Sequence, residues 1–400
     1  MKRESRCAYY VSDDNSPTVL ISSAQLKARA QSLGFNLVGI TPARPAPHLA
    51  AYLRWIENEL HGEMNYLARA DRVTRRRDLN VILSGAQALV LVGVDFSTLR
   101  LPESFLSDPA RGRIAQYAWN KDYHHVLTSR LEELAAWLKI SARAYVDTGA
   151  ILERDHAWQA GLGFIGKNTM LINPRRGSHF FLGELLTTAT FDVYDQPSRE
   201  TQCGTCARCL AACPTNAFPQ PHVLDARLCI SYLTIEHKSA IPRELRPKLG
   251  NWVFGCDVCQ TVCPWNRFAV QTLETEFFPA DENRAAPPLA ELLQLNEAGF
   301  RARFARSPIE RLGRARLVRN ACVAAGNSQQ SVFAPQLIHL LADESPLVRA
   351  HAGWALSRLD GAFARAELTR RLLSESDEMA RAEWQTLIDQ RPDSALHYSQ

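Results

Sequence analysis

The 400-residue chain has no uninterrupted apolar run of the roughly 18 residues that a membrane helix needs. Its opening, Met1-Lys2-Arg3-Glu4 and then the polar Ser12-Asp13-Asp14-Asn15-Ser16-Pro17, lacks the apolar segment of a secretion signal. Residues 1–19 are therefore expected to be a flexible tail, and the protein to stay in the cytoplasm. Charge of one sign is also missing. With 46 basic against 42 acidic residues the net charge is only +4, so bulk charge neither requires nor forbids a nucleic-acid partner. At 46% hydrophobic and 22% charged, the composition lacks the bias of a disordered chain. The length predicts two or three domains. Cysteine is scarce outside one segment: only Cys7 and Cys322 lie away from residues 203–266. In a reducing compartment, cysteines gathered in this way bind metal or do chemistry more often than they form disulfides.

From about Leu20 to Pro197 helical and strand-like segments alternate. Ala24 to Leu33 has apolar residues at helical spacing and stops at Gly34, whereas Asn36 to Ile40 reads as a strand. A helix over His48 to Leu60, a buried strand over Ala88 to Val94, an amphipathic helix over Leu131 to Ile140 and a strand over Ala142 to Val146 follow. This alternation predicts an α/β (α+β) layer structure for residues 20–197. Residues 198–286 hold the cysteines, two of them followed by proline, and read as a small metal-organised domain. Residues 287–400 are helical and repetitive. Leu317-Val318-Arg319 recurs 30 residues on as Leu347-Val348-Arg349, and Met379-Ala380-Arg381 follows 32 beyond that. Leu347, Val348, Ala352, Ala355, Leu356 and Leu359 share one helical face after the turn Asp343-Glu344-Ser345-Pro346, so stacked all-α, HEAT-like repeats are expected.

Cys203-x2-Cys206-x2-Cys209-x3-Cys213-Pro214 has the spacing of a bacterial ferredoxin run, in which three thiolates grip one 4Fe-4S cubane and the fourth reaches a second. One run thus predicts a partner. It is found at Cys256-x2-Cys259-x3-Cys263-Pro264, with Cys229 as the missing eighth ligand. Cys203, Cys206, Cys209 and Cys263 are assigned to the first cluster, and Cys213, Cys229, Cys256 and Cys259 to the second. Zinc knuckles and disulfides are the alternatives. The first run packs its ligands too densely for two tetrahedral zinc sites, and no secretion signal favours disulfides. Cys7 and Cys322 read as structural or incidental. Two cubanes make a ferredoxin-like conduit for single electrons and do no organic chemistry alone.

With the cysteine runs, several separated blocks resemble epoxyqueuosine reductases, the cobalamin-dependent enzymes that complete queuosine in tRNA. They are Tyr117-Ala118-x3-Asp122-Tyr123-His124, Val146-Asp147-Thr148, Gly161 to Thr169, and Gly255-Cys256-Asp257-x-Cys259-Gln260-x2-Cys263-Pro264-Trp265-Asn266. Asn120 stands where the family usually has glycine. The resemblance implies that residues 20–197 bind cobalamin, and that cob(I)alamin fed by the clusters reduces an epoxide-bearing cyclopentane to the alkene with loss of water. It also implies that the family's proton donor matches Asp147. A carboxylic acid can serve at neutral pH if its surroundings raise its pKa. On its residues alone Asp147 reads first as the cap of a following helix, since Asp-Thr-Gly commonly starts a turn, and the resemblance reverses that order.

The glycines of Gly161-x-Gly163-x2-Gly166 match neither a dinucleotide fingerprint nor a P-loop, because Ile151 to Ala160 before them looks helical. They are expected to let backbone approach a large flat cofactor. The resemblance would then turn Lys167, Asn168 and Ser178 toward cobalamin, with Tyr123 and His124 as further pocket candidates. For the tRNA, Arg301, Arg303, Arg306, Arg311, Arg314, Arg316 and Arg319 face a single nearby carboxylate, Glu310, and a second cluster comprises Arg69, Arg72, Arg75, Arg76 and Arg77. Such clusters suit phosphate, or are solvated helix faces. A monomer served by an external electron donor is expected. Rival readings are a cobalamin and iron-sulfur reductase of the reductive dehalogenase type, and a non-catalytic electron-transfer protein.

Overall fold

The structure, a computed structural model, describes residues 20–197 and 202–390. The expected tail, with Cys7, lies outside the described residues. The chain forms two compact units, neither continuous in sequence. The first takes the chain up to Leu99, Lys121–Arg227 and Val258–Phe278; the second takes Arg100–Asn120, Leu228–Asp257 and the chain from Pro279 on. The cysteine segment contributes to both.

The first unit is built on four strands: β1 (Leu37–Pro42), β2 (Ala88–Asp95), β3 (Ala142–Tyr145) and β4 (Phe180–Thr187), in the order β1-β2-β4-β3. Every pairing in this sheet is antiparallel, so the unit is α+β; a separate two-residue pair, Leu20–Ile21 with Thr190–Phe191, is parallel. All eight residues of β2 are buried, which is why it reads as one continuous apolar run instead of alternating. Helix Tyr123–Leu138 packs on β3 and β4 through buried Leu127, Leu131 and Leu134. Its first turn is closed by Asp122, whose side chain accepts the His124 N–H. Helix Glu153–Gln159 packs on β2 and β4 and joins a core of Leu89, Leu91, Ala157, Ala160, Leu162 and Leu186. Strand β4 was not read from sequence, yet it joins β2 to β3.

In the second unit the three repeated triplets fall in helices Arg314–Ser328, Pro346–Leu359 and Glu378–Asp389, which pack in succession. The recurring arginine donates to backbone carbonyls in each. Arg349 donates to the carbonyls of Asp343 and Glu344, and Arg381 to that of Glu375. Arg319, wholly buried, donates to the carbonyls of Leu233, His237 and Ser239 at 2.7–2.9 Å. Arg319→Ala would leave three carbonyls without their donor and open a cavity. It is expected to destabilise this unit by about 3 kcal/mol, read as a lower urea midpoint.

Candidate active site

Asp147 follows β3 and adopts a left-handed backbone, φ +56°, which L-residues enter reluctantly and aspartate more readily than most. Its side chain is turned to the surface, where Oδ2 accepts the Tyr123 hydroxyl at 2.9 Å. Its N–H donates to Glu153 Oε1 at 2.7 Å, and the next carbonyl, Thr148, accepts from Arg72 Nη1 at 3.1 Å. Asp147 caps no helix: the next one starts at Glu153 after Leu152, so the capping alternative falls. The rule that ligands sit at the carboxyl ends of strands belongs to parallel sheets and does not apply to this antiparallel one. The Tyr123 ring lies against Phe181, 4.1 Å between centroids and 4° from parallel, and against His124, also at 4.1 Å.

Behind Asp147 lie two further carboxyls that sequence reading missed. Glu184, on β4 opposite Tyr145, is wholly buried, and neither of its oxygens has a hydrogen-bond partner among the described residues. Burial first, and then the charge of Glu153, holds its pKa well above the carboxylate range, with Arg76 acting against them. Glu153 is pushed up to about 8, by burial and next by Asp147. Arg76, also buried, stacks over the Tyr52 ring at 4.9 Å. An isolated acidic residue inside an apolar strand is the signal that could have drawn attention to Glu184.

The raised Glu153 pKa has a thermodynamic consequence. The folded chain keeps a proton that the unfolded chain releases at the ordinary value of 4.5, so the folded state binds more protons between 4.5 and about 8. The stability contributed by this group is complete below that window and is lost as pH rises through about 8. Buried His156, pushed down to about 4, acts the opposite way and only below its ordinary 6.5. Between pH 6.5 and about 8 the thermal midpoint is therefore expected to fall. Glu153→Gln should flatten that slope in a pH series of melting curves.

Cys203, Cys206, Cys209 and Cys263 line one cavity of about 210 Å³ with Asn168, Ile172 and Trp265. These are the four thiols assigned by spacing to the first cluster. Burial, followed by the neighbouring Cys203 and Cys263, pushes the Cys209 thiol up. Burial does the same to Cys263, with smaller contributions from Cys203 and Cys206. Crowded sulfurs of this kind become thiolates at low cost only around a cation. They do not converge on a point: among the described residues no three His, Cys, Asp or Glu side chains are placed to share a single ion. The Lys167 N–H donates to Cys203 Sγ at 3.4 Å, and the Ala217 N–H to Cys213 Sγ at 3.3 Å. Soft donors around an open cavity, with amide hydrogens on sulfur, fit an iron-sulfur cluster. Of the other four thiols, Cys213 and Cys259 belong to the first unit, and Cys229 and Cys256 to the second. Cys322 is buried within helix Arg314–Ser328, its thiol pushed well up by burial. None of the nine described cysteines is in a disulfide.

A family model described as a 4Fe-4S double cluster binding domain matches residues 202–266, which include all eight thiols. Another, described as epoxyqueuosine reductase QueG, DUF1730, matches residues 76–148. An epoxyqueuosine reductase of Pseudomonas aeruginosa is 42% identical over 87% of this chain and 98% of its own. The chain belongs to the epoxyqueuosine reductase family. A crystal structure of an epoxyqueuosine reductase with an epoxyqueuosine-modified tRNA-Tyr stem loop has 33% identity and a TM-score of 0.83, covering 91% of this chain and 97% of that one. The Bacillus subtilis epoxyqueuosine reductase with its Asp catalytic loop swung out of the active site has 33% identity, a TM-score of 0.82 and the same coverage.

The residues carried over from the epoxyqueuosine reductase family for cobalamin divide into two groups. Tyr123 and His124 form the ring stack beside Asp147. Lys167 and Asn168 brace the cysteine loops: Lys167 Nζ donates to the carbonyls of Gly204 and Cys206 at 2.8 and 2.9 Å, and Asn168 Nδ2 donates to that of Cys259 at 3.2 Å. Ser178 is buried in a network with Asn266 and Gln260, which uses both its amide and its hydroxyl. In this structure the polar groups of Lys167 and Ser178 are engaged within the chain. Glycine is required at 163 and 166 by the chain itself. A Cβ on Gly163 would lie 2.4 Å from the Ile172 carbonyl, and one on Gly166 would lie 2.5 Å from the Ile172 side chain. They make room for the chain's own hairpin, Phe164–Ile165 against Leu171–Ile172.

The arginine clusters are also largely committed within the fold. Arg301 pairs with Glu297, Arg303 with Glu291, Arg311 with Glu236 and Arg314 with Asp343. Arg316 donates to the carbonyls of Ile235, Leu312 and Arg311, while Arg306 is exposed. In the second cluster Arg69 pairs with Asp71, Arg72 holds Thr148 and Arg76 is buried. The local excess of positive charge that suggested a phosphate-binding face is thus mostly balanced in three dimensions.

Proposed function

We propose that the chain reduces epoxyqueuosine in tRNA to queuosine, the activity of the family to which it belongs, and that Asp147 donates the proton to the departing epoxide oxygen. Two electrons and two protons convert the epoxide to the alkene and release water. The observation that carries the assignment of Asp147 is its setting. Its carboxyl is held by the Tyr123 hydroxyl at 2.9 Å, faces the surface and sits on a backbone that only a few residue types adopt. A solvent-facing acid with one oriented oxygen can reach a substrate oxygen. The ring pair Tyr123–His124 offers the flat face that a corrin would cover, and we assign the cobalamin pocket to these two residues instead of Lys167 or Ser178. Cobalamin, when bound, supplies low-potential reducing power at the epoxide carbon. The loop that carries Asp147 is taken to have an outward position, as in the Bacillus subtilis relative.

Cys203, Cys206, Cys209 and Cys263 would hold one cubane, with Lys167 and Asn168 tying the loops that carry it. Spacing assigns Cys213, Cys229, Cys256 and Cys259 to the other. The successive helices from Arg314 to Asp389 are read as HEAT-like repeats whose extended surface carries the tRNA stem. The enzyme is taken to act as a cytoplasmic monomer served by an external electron donor. No helix among the described residues is long and apolar enough to cross a membrane.

The test is anaerobic reconstitution with iron, sulfide and cobalamin, followed by mass analysis of nucleosides from epoxyqueuosine-containing tRNA. Loss of one oxygen from the modified nucleoside is expected. An unchanged nucleoside, while an artificial dye is reduced, would refute the substrate assignment.

A further inference from the structure

The segment carrying the proton donor is held by side chains to which the reaction above gives no role. A left-handed backbone at a non-glycine residue persists only where its surroundings enforce it, and Asp147 adopts one with φ +56°. Its N–H is taken by Glu153 Oε1 at 2.7 Å, six residues on, and the carbonyl of Thr148 by Arg72 at 3.1 Å. Together these fix the peptide on both sides of the Asp147–Thr148 link. An amide in a surface loop could be satisfied by water. Here it is met instead by a half-buried carboxyl close to Glu184, a second carboxyl wholly buried without a hydrogen-bond partner among the described residues. Two neighbouring acids in low dielectric work against folding. The groups facing Glu153 are Asp147, Arg154 and Arg76, and those facing Glu184 are Glu153, Arg76 and Asp147. Arg76, buried and stacked on Tyr52, is the cation shared by both acids. A costly local arrangement that serves one loop points to a functional constraint on that loop.

We propose that Glu153 is a positioning residue for Asp147: its carboxyl latches the Asp147 amide, with Arg72 on the following carbonyl, and so keeps the acid oriented at Tyr123. The proposal rests on the reading of Asp147 as proton donor. The latch requires an acceptor oxygen at the end of a side chain of this length and does not require a charge. Glutamine should therefore serve, and alanine should not.

The full-length chain, reconstituted with clusters and cobalamin, is assayed on an epoxyqueuosine-containing tRNA. Glu153→Ala is expected to lower kcat by about 10- to 100-fold through misplacement of the acid, with KM for the tRNA and iron content unchanged. Hydrogen exchange at the Asp147 amide, measured without cobalamin, should accelerate in the same variant. Glu153→Gln should restore most of the rate and the slow exchange. Wild-type kcat with unchanged exchange in Glu153→Ala would overturn the proposal, as would a folded Glu153→Gln that behaves like alanine. Should alanine fail to fold, Glu153→Asp withdraws the acceptor by one methylene and is expected to lower kcat; a wild-type rate there also overturns it. Asp147→Asn is run in parallel. If it retains turnover, the proton-donor reading falls and the latch with it; if it loses turnover while Glu153→Ala does not, only the latch falls.

Discussion

Asp147→Asn is expected to lower turnover of epoxyqueuosine-containing tRNA by about 10²- to 10⁴-fold, the usual contribution of a positioned general acid. Asparagine is nearly isosteric and is among the few residues that tolerate the left-handed backbone found there. Its amide oxygen can still accept the Tyr123 hydroxyl, and its N–H can still reach Glu153. What it lacks is the proton. Iron content, melting temperature and affinity for the tRNA should therefore match the wild-type chain, and the deficit should appear in single-turnover rates followed by nucleoside mass analysis. Tyr123→Phe, which removes only the orienting hydroxyl, should show a smaller loss. A wild-type rate in Asp147→Asn would mean that the oxygen takes its proton from another group or from water.

Cys263→Ala is expected to abolish multiple turnover and to halve the iron, from about eight to about four per chain, since each cubane carries four. The substitution is informative because Cys263 lies 54 residues beyond Cys209 in the chain, while in space it shares a cavity with Cys203, Cys206 and Cys209. If each run instead built its own cluster, removing Cys263 would leave the first run with all its ligands. Iron falls to about four in either case, so the double variant Cys203→Ala/Cys263→Ala separates the two arrangements: it removes ligands of a single cluster under the cross-assignment, leaving about four irons, but ligands of both clusters otherwise, leaving almost none. Loss of a cluster also removes binding free energy that contributes to folding, so a lower melting temperature should accompany it. Eight irons and normal turnover in the variant would sink the cross-assignment of ligands.

Several elements were legible because their cause is local. Ala88–Asp95 is a buried apolar run long enough for a strand, and Ser23–Ser32 ends where Gly34 takes φ +88°. Strand Phe180–Thr187 escaped notice because Gly183 and Glu184 interrupt its apolar pattern. Their reasons are non-local: a Cβ on Gly183 would lie 2.9 Å from Leu131, and Glu184 belongs to the acid group behind Asp147. The arginines show the same limit. Within Arg301 to Arg319 the only carboxylate is Glu310, whereas Glu236, Glu291 and Asp343 arrive from other helices and turns to pair with Arg311, Arg303 and Arg314; only Arg301 is paired locally, with Glu297 one turn before it in the same helix. A count of charge along the chain weighs only local partners, while Coulomb energy depends on distance in space.

Chemistry carried by spacing was legible in the sequence alone. Thiols separated by two residues can grip one polynuclear centre while the fourth of a run reaches another, so two clusters were expected, and a ligand set for each could be proposed, before any coordinate. The periodic triplets likewise announced stacked helices. Only the tertiary structure decided what depends on groups far apart in the chain meeting within a hydrogen-bond length: the antiparallel sense of the sheet, the engagement of Lys167 and Ser178 inside the protein, and the acids of Glu153 and Glu184 gathered behind Asp147. Hydrogen bonds and desolvation act over a few ångströms, and which residues come that close is set by the packing of whole elements, which no local pattern encodes.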